Sequence, residues 1–241
     1  ALVRIGGGNL KSVVVFMTMG LSAFATLKGL TAVLRVNTVD TIAIEMPAGA
    51  SLTALAGGNW VAYVLGAALI LVVLRHKDAW SLENLLAGLG VGGLVVGMWW
   101  ITGHMGFVSE HPQTLEPVYV ATGSGRIEAL SFIAPVGQFL DWLMFFSDKS
   151  KVLNAGVVAV LGVIAGAMVS ALAQGTFRWE GFANTRDLAQ HLIGAVLMGV
   201  GGVTGLGCTF GQGLSGLSTL SFNACITVVA IVAGAVLALR H

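Results

Sequence analysis

The sequence predicts an all-α, polytopic helical bundle in a membrane, and three features carry this prediction. Hydrophobic side chains make up 56% of the 241 residues, whereas Asp, Glu, Lys and Arg together make up only 10%. Because a soluble globular domain carries about 25% charged residues, lipid rather than water is the expected solvent for most of this chain. The third feature is a series of apolar runs of the length that a bilayer crossing needs.

Each apolar run is expected to form a helix or a pair of helices. Trp60 and the neighbouring pair Trp99 and Trp100 stand at run ends, where an aromatic belt would meet the headgroups. Glycines at GxxxG spacing, such as Gly88 and Gly92, are predicted to let helix backbones pack closely. The runs cover residues 13–34, 60–74, 85–102, 129–146, 152–173 and 192–239.

The run at 129–146 is interrupted by Pro135, Gln138 and Asp141. A proline inside a helix kinks or ends it, so three forms are open: a kinked span, a short surface helix or a re-entrant piece. The chain therefore has six predicted spans, or seven if this run crosses the membrane.

The last run holds 48 residues without a charged side chain, which is enough for two spans and a connection between them. The connection is segment 205–221, which contains five glycines together with serine, threonine and glutamine. Irregular backbone at membrane depth persists only inside protein or beside a water-filled cavity. We therefore predict a re-entrant or broken-helix element that lines a pathway. A short turn exposed to solvent is the alternative.

The glycines of this segment expose backbone N–H groups, and successive N–H groups form a nest for an anion. The N-terminus of a broken helix would add positive potential, so an anion could bind here without lysine or arginine. The polar side chains of the segment, with Ser218 among them, either cap the broken helices or bind the oxygen atoms of the anion. The predicted pathway residues are Gly207, Cys208, Thr209, Gly211, Gln212, Gly213 and Ser215.

Cys208 is the chemically distinctive residue of the segment. A buried cysteine is commonly an inert, small apolar residue, and that interpretation stays open. The other interpretation is a pathway thiol that donates a weak S–H hydrogen bond to a soft substrate atom, such as a sulfur-bearing anion offers. Cys225 lies in an ordinary apolar run and is predicted only to pack.

Several other functions and sites are excluded. The net charge of +1 indicates no nucleic-acid partner. The letters GQGLSG at 211–216 match a dinucleotide fingerprint, but no acidic residue follows them. The two cysteines lack metal-ligand spacing, so we expect neither a metal nor a cofactor. Asp187 and His191 are predicted to be membrane-interface residues rather than a proton relay.

Three stretches are distinctive enough to compare with a known family. They are LVRIGGGNLKS at 2–12, RIEALSFIAPVGQFLDWL at 126–143, and the segment 177–220 that includes GCTFGQGLSG. Together they resemble the YeeE/YedE family of sulfur transporters along essentially the whole chain. The resemblance implies an inverted-repeat helical bundle in the inner (cytoplasmic) membrane.

The resemblance also implies uptake of thiosulfate, with cysteines on short central helices passing the ion through S–H···S hydrogen bonds. The cysteine that matches the family motif is Cys208, framed by Gly207, Thr209, Gly211 and Gln212. Further family cysteines precede the LVRIGGGNLKS stretch, so the sequence is expected to be an N-terminally incomplete member.

A faint internal echo between residues 5–21 and 211–229 supports a repeat architecture. We predict a single transmembrane domain over residues 1–241. Within it, a first-repeat remnant covers about 1–102, a polar loop covers 103–127, and a second repeat covers about 128–241.

The leading hypothesis is a membrane permease, not an enzyme, for thiosulfate or a related sulfur-containing ion. Its expected partners are that anion and the lipid bilayer, with room for a cytoplasmic sulfur-carrier protein. Two alternatives stay open. In one, a membrane-embedded sulfur relay or persulfide-handling enzyme carries sulfur on Cys208. In the other, a non-transporting membrane scaffold has no cavity at that residue.

Overall fold

The computed structural model describes residues 1–42, 51–55, 58–110, 115–148, 153–182 and 184–240. Their regular structure is almost entirely helical, which confirms the all-α prediction. The strands β1 (Phe107–Val108) and β2 (Val118–Tyr119) form a small antiparallel pair in the predicted polar loop. The helices are α1 (Leu2–Gly6), α2 (Leu10–Lys28), α3 (Leu30–Thr38), α4 (Leu52–Leu55), α5 (Trp60–Arg75), α6 (Leu82–Trp100), α7 (Ile133–Met144), α8 (Ala155–Ala173), α9 (Thr185–Thr204) and α10 (Phe222–Arg240).

Four of the described helices are long and apolar enough to cross a membrane, which confirms a polytopic membrane protein. They are α2, α8, α10, and α6 together with the π-helical turn Ile101–Met105 that continues it. The sequence-based count of six spans is higher because two further runs form weaker candidates. Helix α5 has only 16 residues, and α9 begins with the polar residues Arg186, Asp187, Gln190 and His191.

The run at 129–146 forms α7, a helix of 12 residues. Its length of about 18 Å is too short for a hydrocarbon core of about 30 Å. Val136, Gly137 and Asp141 are buried, so α7 packs one face into the bundle. Pro135 lies in the first turn, where its missing N–H breaks no helical hydrogen bond, so the proline does not kink α7.

The predicted continuous run at 13–34 is interrupted at Gly29, which separates α2 from α3 in an extended conformation. The last residue of α2, Lys28, places its Nζ 2.6 Å from Oδ2 of the buried Asp141 on α7. Nothing in the local sequence indicates this ion pair, because its partners are 113 residues apart.

Helices α2, α7 and α9 form the main core, with α8 packed beside them. Glycines bring these backbones together: a Cβ added to Gly20 would lie 2.6 Å from Cγ1 of Val136. An ion pair joins the starts of α2 and α9, since Oδ2 of Asp187 lies 2.8 Å from Nζ of Lys11. Within α9, Oδ1 of Asp187 lies 3.1 Å from Nδ1 of His191. The buried core cluster consists of Phe16, Met19, Ala23, Ile133, Val136, Val160, Ala195 and Val203.

Contrary to the prediction from the sequence, the GxxxG pairs on α6 and α8 do not pack closely against another described helix. A Cβ added to Gly88 or Gly92 on α6, or to Gly162 or Gly166 on α8, would meet no described heavy atom within 4 Å. The spacing identifies a face on which a helix could approach closely, but it does not say whether a neighbour from the same chain lies there.

Replacing Gly199 with leucine is expected to destabilise the seam between α9 and α2. A Cβ at this position would collide with Oγ of Ser22 and lie 2.6 Å from the carbonyl oxygen of Met19. Overpacking of this kind costs about 1–3 kcal/mol, and a backbone oxygen cannot rotate away. Thermal unfolding followed by size-exclusion chromatography in detergent measures the effect. Gly194→Leu, where nothing lies within 4 Å, is the matched control; equal melting temperatures for the two variants would refute this account of the seam.

Candidate functional site

The segment 205–221 is a broken-helix element between α9 and α10, as the sequence predicts. Residues 205–208, here called the site turn, leave the end of α9. Residues 209–218 form a short helix, here called the site helix, whose central part Gly211–Gly216 is π-helical. The π-helix is rare and is found frequently at functional sites, so this geometry marks the segment for attention.

Two leucines in the left-handed region bracket the site helix. Leu206 has φ +58° and Leu220 has φ +52°. For residues with a Cβ this conformation costs about 1–3 kcal/mol and persists only where the surroundings enforce it. The second leucine is held by a neighbouring segment, because its carbonyl accepts a hydrogen bond from the N–H of Leu52 at 2.9 Å.

The N–H groups of Gly205, Leu206 and Gly207 in the site turn do not form the predicted anion nest, because the end of α9 uses them. Gly205 N–H donates to the carbonyl of Gly201, and Gly207 N–H donates to that of Gly202, each at 2.8 Å. These bonds satisfy carbonyl groups that a helix C-terminus otherwise leaves without partners. The turn therefore also reduces the negative potential that α9 would direct at the site.

Cys208 is the N-terminal cap of the site helix. Its Sγ accepts a hydrogen bond from the N–H of Gly211 at 3.4 Å, and its carbonyl accepts one from the N–H of Gln212 at 2.8 Å. This is the position that serine or threonine usually fills in a helix cap. The sulfur thus acts as an acceptor inside the protein, and its proton is left to donate elsewhere.

Four uncharged donor side chains of the segment differ in their partners: three bond to backbone carbonyls of the described residues, and the fourth, that of Thr209, does not. Gln212 is buried and donates from Nε2 to the carbonyl of Gly205 at 3.0 Å, which ties the site helix back onto the site turn. Ser215 and Ser218 donate to backbone carbonyls at 2.8 and 2.7 Å. These three side chains therefore position the segment. The hydroxyl of Thr209 makes no hydrogen bond to the described residues and lies exposed.

The start of α7 meets the start of the site helix. Ser215 donates to the carbonyl of Leu130, and a Cβ added to Gly211 would lie 2.9 Å from Oγ of Ser131. The rings of Phe132 and Phe210 are in edge-to-face contact, with centroids 5.1 Å apart. Because helix N-termini carry positive potential, this junction brings two such ends together.

Both N-termini leave backbone donors without partners in the described part of the chain. In the site helix these are the N–H groups of Thr209 and Phe210. In α7 they are the N–H groups of Ile133 and Ala134, and no side chain caps this helix. An N–H group of this kind, at a helix start, is a ready hydrogen-bond donor for an anion.

A cleft of about 680 Å³ opens at this junction. Its walls are the inner faces of α9 and α10, the site turn, and Ile133 at the start of α7. None of the side chains that line it is charged, and most are apolar. Cys208 and Thr209 supply polar groups at one end, and Thr227 of α10 faces the same space.

The seven predicted pathway residues fall into three sets. Gly207, Cys208 and Thr209 line the cleft. Gly211, Gln212 and Ser215 lie buried behind it and hold the site helix in place. Gly213 is not among the cleft-lining residues, and a Cβ added there would meet nothing within 4 Å.

Sequence reasoning missed the part of the cleft that α7 and α10 provide. Ile133 lies in the distinctive stretch 126–143 and Thr227 in the run after the site helix, but nothing in either stretch indicates that these side chains meet Cys208 across a cleft. The proline at position 135 is the one local signal for α7, because proline favours the first turn of a helix. Pro135 predicts that a helix begins near Ile133, but it does not indicate which residues lie opposite that helix start.

Comparison with known proteins identifies relatives concerned with sulfur. The family model described as "Sulphur transport" matches residues 1–237. The thiosulfate transporter TsuA of Escherichia coli (strain K12) is 29% identical over 115 residues, which are 48% of this chain and 32% of that protein. The thiosulfate transporter TsuA of Spirochaeta thermophila is 31% identical over 114 residues, 47% of this chain and 33% of that protein. The matched part thus spans about a third of the length of these curated relatives.

Proposed function

The chain belongs to the sulphur transport family, and from this premise we propose that it is a permease for thiosulfate or a closely related sulfur-containing anion. The anion enters the cleft between α9 and α10 and passes Cys208. The names of the curated relatives support the choice of thiosulfate. The fold supports transport, because a broken helix beside a cleft provides a pathway that a continuous span does not.

The observation that carries this proposal is the meeting of two helix N-termini at one cleft. Thr209 and Ile133 line the cleft, and their N–H groups, which have no partner among the described residues, provide donors for anionic oxygens. The N–H groups of Phe210 and Ala134 come next in the two helix starts. Their potential is positive without a lysine or arginine in the cleft. Binding by neutral donors is weaker than binding by a fixed cation, so the anion can enter and also leave, as conduction requires.

Cys208 gives the site a preference for sulfur. Because its Sγ already accepts the N–H of Gly211, the thiol proton can donate to the terminal sulfur of thiosulfate while N–H groups bind the oxygens. The thiol stays reduced in this scheme and serves as a neutral step along the pathway. A membrane scaffold without transport does not account for a cleft at this residue.

The inner membrane is the proposed location, which follows from the family resemblance of the motif around Cys208. A cytoplasmic sulfur-carrier protein is the partner that the sulfur-relay alternative would require. The apolar spans support a membrane location of some kind.

The proposal predicts that the full-length protein, produced in a bacterial strain without its own sulfate and thiosulfate permeases, restores uptake of radiolabelled thiosulfate. Uptake equal to that of cells with an empty vector would remove the permease assignment. Mass spectrometry of Cys208 after uptake separates the permease from a sulfur relay. A reduced thiol agrees with the permease, and a persulfide that forms and decays with turnover would favour the relay.

A further inference from the structure

Phe132 and Phe210 connect two separate hydrophobic clusters. Phe132 packs against the main core cluster, and so does Cys208. Phe210 packs against a second, separate cluster formed by Val95, Ala129 and Leu130. The edge-to-face contact between the two rings is therefore a junction between two hydrophobic cores, and it lies directly beside the end of the cleft.

Apart from Ile133, the residues next to the two rings in the chain are polar or very small. Ile133, Cys208 and Thr209, which line the cleft, adjoin the rings on one side in sequence. Ser131 and Gly211 adjoin them on the other, and a Cβ at that glycine would lie 2.9 Å from the serine Oγ. The ring contact thus borders the residues that line the end of the cleft.

We propose that Phe132 and Phe210 form the apolar seal of the pathway, immediately beyond Cys208. This inference rests on the proposed permease function. A constriction lined by apolar side chains blocks ions because water leaves it, and it opens when the side chains separate. The contact between two aromatic rings is suited to this task, because it contributes only a modest energy and each ring can turn about two side-chain bonds.

The seal would also contribute to selectivity. An anion that passes between the rings must give up part of its hydration. Thiosulfate can present its sulfur end, which is soft, polarizable and able to make favourable contact with the edge of an aromatic ring. Sulfate presents a strongly hydrated oxygen in every orientation. Removing a ring therefore lowers the barrier more for sulfate than for thiosulfate.

The direct test measures from which side of the membrane Cys208 can be reached. A membrane-impermeant thiol reagent is added to right-side-out cells or to inside-out vesicles that contain the full-length protein with every cysteine except Cys208 replaced by serine. With the seal intact, Cys208 is expected to react from one side only. In the Phe132→Ala and Phe210→Ala variants it is expected to react from both sides. Phe139→Ala, which removes a ring stacked on Trp142 in the same helix, is the control and should remain one-sided.

Reaction of the parent protein from both sides, or alanine variants that remain one-sided at normal membrane levels, would overturn the seal. If the alanine variants do not reach the membrane, a leucine and a threonine variant at each position decide the question. Phe132→Leu and Phe210→Leu keep apolar bulk, so a dewetted seal should persist and reaction should stay one-sided, whereas Phe132→Thr and Phe210→Thr, which shorten the side chain and add a hydroxyl, should admit water and give reaction from both sides.

A competition assay tests the selectivity part. The sulfate concentration that halves thiosulfate uptake is expected to fall roughly three-fold or more in the seal variants and to stay constant in Phe139→Ala. If this sulfate concentration is the same in the parent protein and the seal variants, the proposed contribution of the seal to selectivity is refuted. Failure of thiosulfate uptake in the parent protein would instead refute the permease, while the sidedness of Cys208 would still report on the seal.

Discussion

Cys208→Ala is expected to lower the initial rate of thiosulfate uptake about five- to ten-fold, because it removes a hydrogen bond worth about 1–1.5 kcal/mol to the passing ion. It also removes the acceptor for the N–H of Gly211, and thereby the cap of the site helix. The two effects act in the same direction, so alanine alone does not separate them. The rate in cells, normalised to the amount of protein in the membrane, is the measurement.

Cys208→Ser separates the cap from the thiol chemistry. Serine is among the best helix caps, so this variant should keep the site helix and the melting temperature of the parent protein. It replaces the soft S–H donor with a hydroxyl, so uptake of thiosulfate should still fall by most of the alanine effect. Full uptake by the serine variant would show that the residue acts only as a cap. Cys225→Ser, on α10, should leave uptake unchanged.

Gly216→Ala is expected to have the second-largest effect, a loss of most thiosulfate uptake with folding retained. A Cβ at this position would lie 2.5 Å from Oε1 of Gln212 and 2.9 Å from Cβ of Ala224. To relieve this crowding, either the glutamine must leave the carbonyl of Gly205, or α10 must move away from the site helix. Either change disturbs the turn that presents Cys208 to the cleft.

Gly213→Ala is the matched control, one turn earlier in the same π-helical segment, where an added Cβ meets open space. It should transport at nearly the parent rate, even though Gly213 is among the predicted pathway residues. Equal losses in the two variants would mean that any alanine disturbs the segment, and the argument from Gln212 would fail. Equal rates would mean that the close contacts at Gly216 do not control the site.

The elements that could be predicted from the sequence are those that depend on local pattern. The apolar run at 152–173 appears as α8 from Ala155 onward, after Leu153 and the cap residue Asn154, while residue 152 lies outside the described residues. The uncharged run at 192–239 appears as two helices with a broken segment between them. Lipid permits few alternatives for such runs, so composition and length are enough.

The features that could not be predicted depend on which groups meet across the chain. The glycines near Cys208 predicted an anion nest in the turn itself. Instead the end of α9 takes the N–H groups of Gly205, Leu206 and Gly207, and the donors without a partner among the described residues belong to the helix starts. The junction of Phe132 with Phe210 joins segments far apart in sequence, and no local pattern encodes it. The repeat boundaries near 102 and 128 stay predictions.

Transport by purified protein in liposomes tests the central claim most directly. Radiolabelled thiosulfate is supplied outside liposomes that contain the full-length protein or its Cys208→Ser variant, and the label inside is counted at early times. The account predicts entry well above that of empty liposomes for the parent protein, and a large decrease for the variant. Entry equal to that of empty liposomes, or equal in the two proteins, would contradict passage of thiosulfate at Cys208.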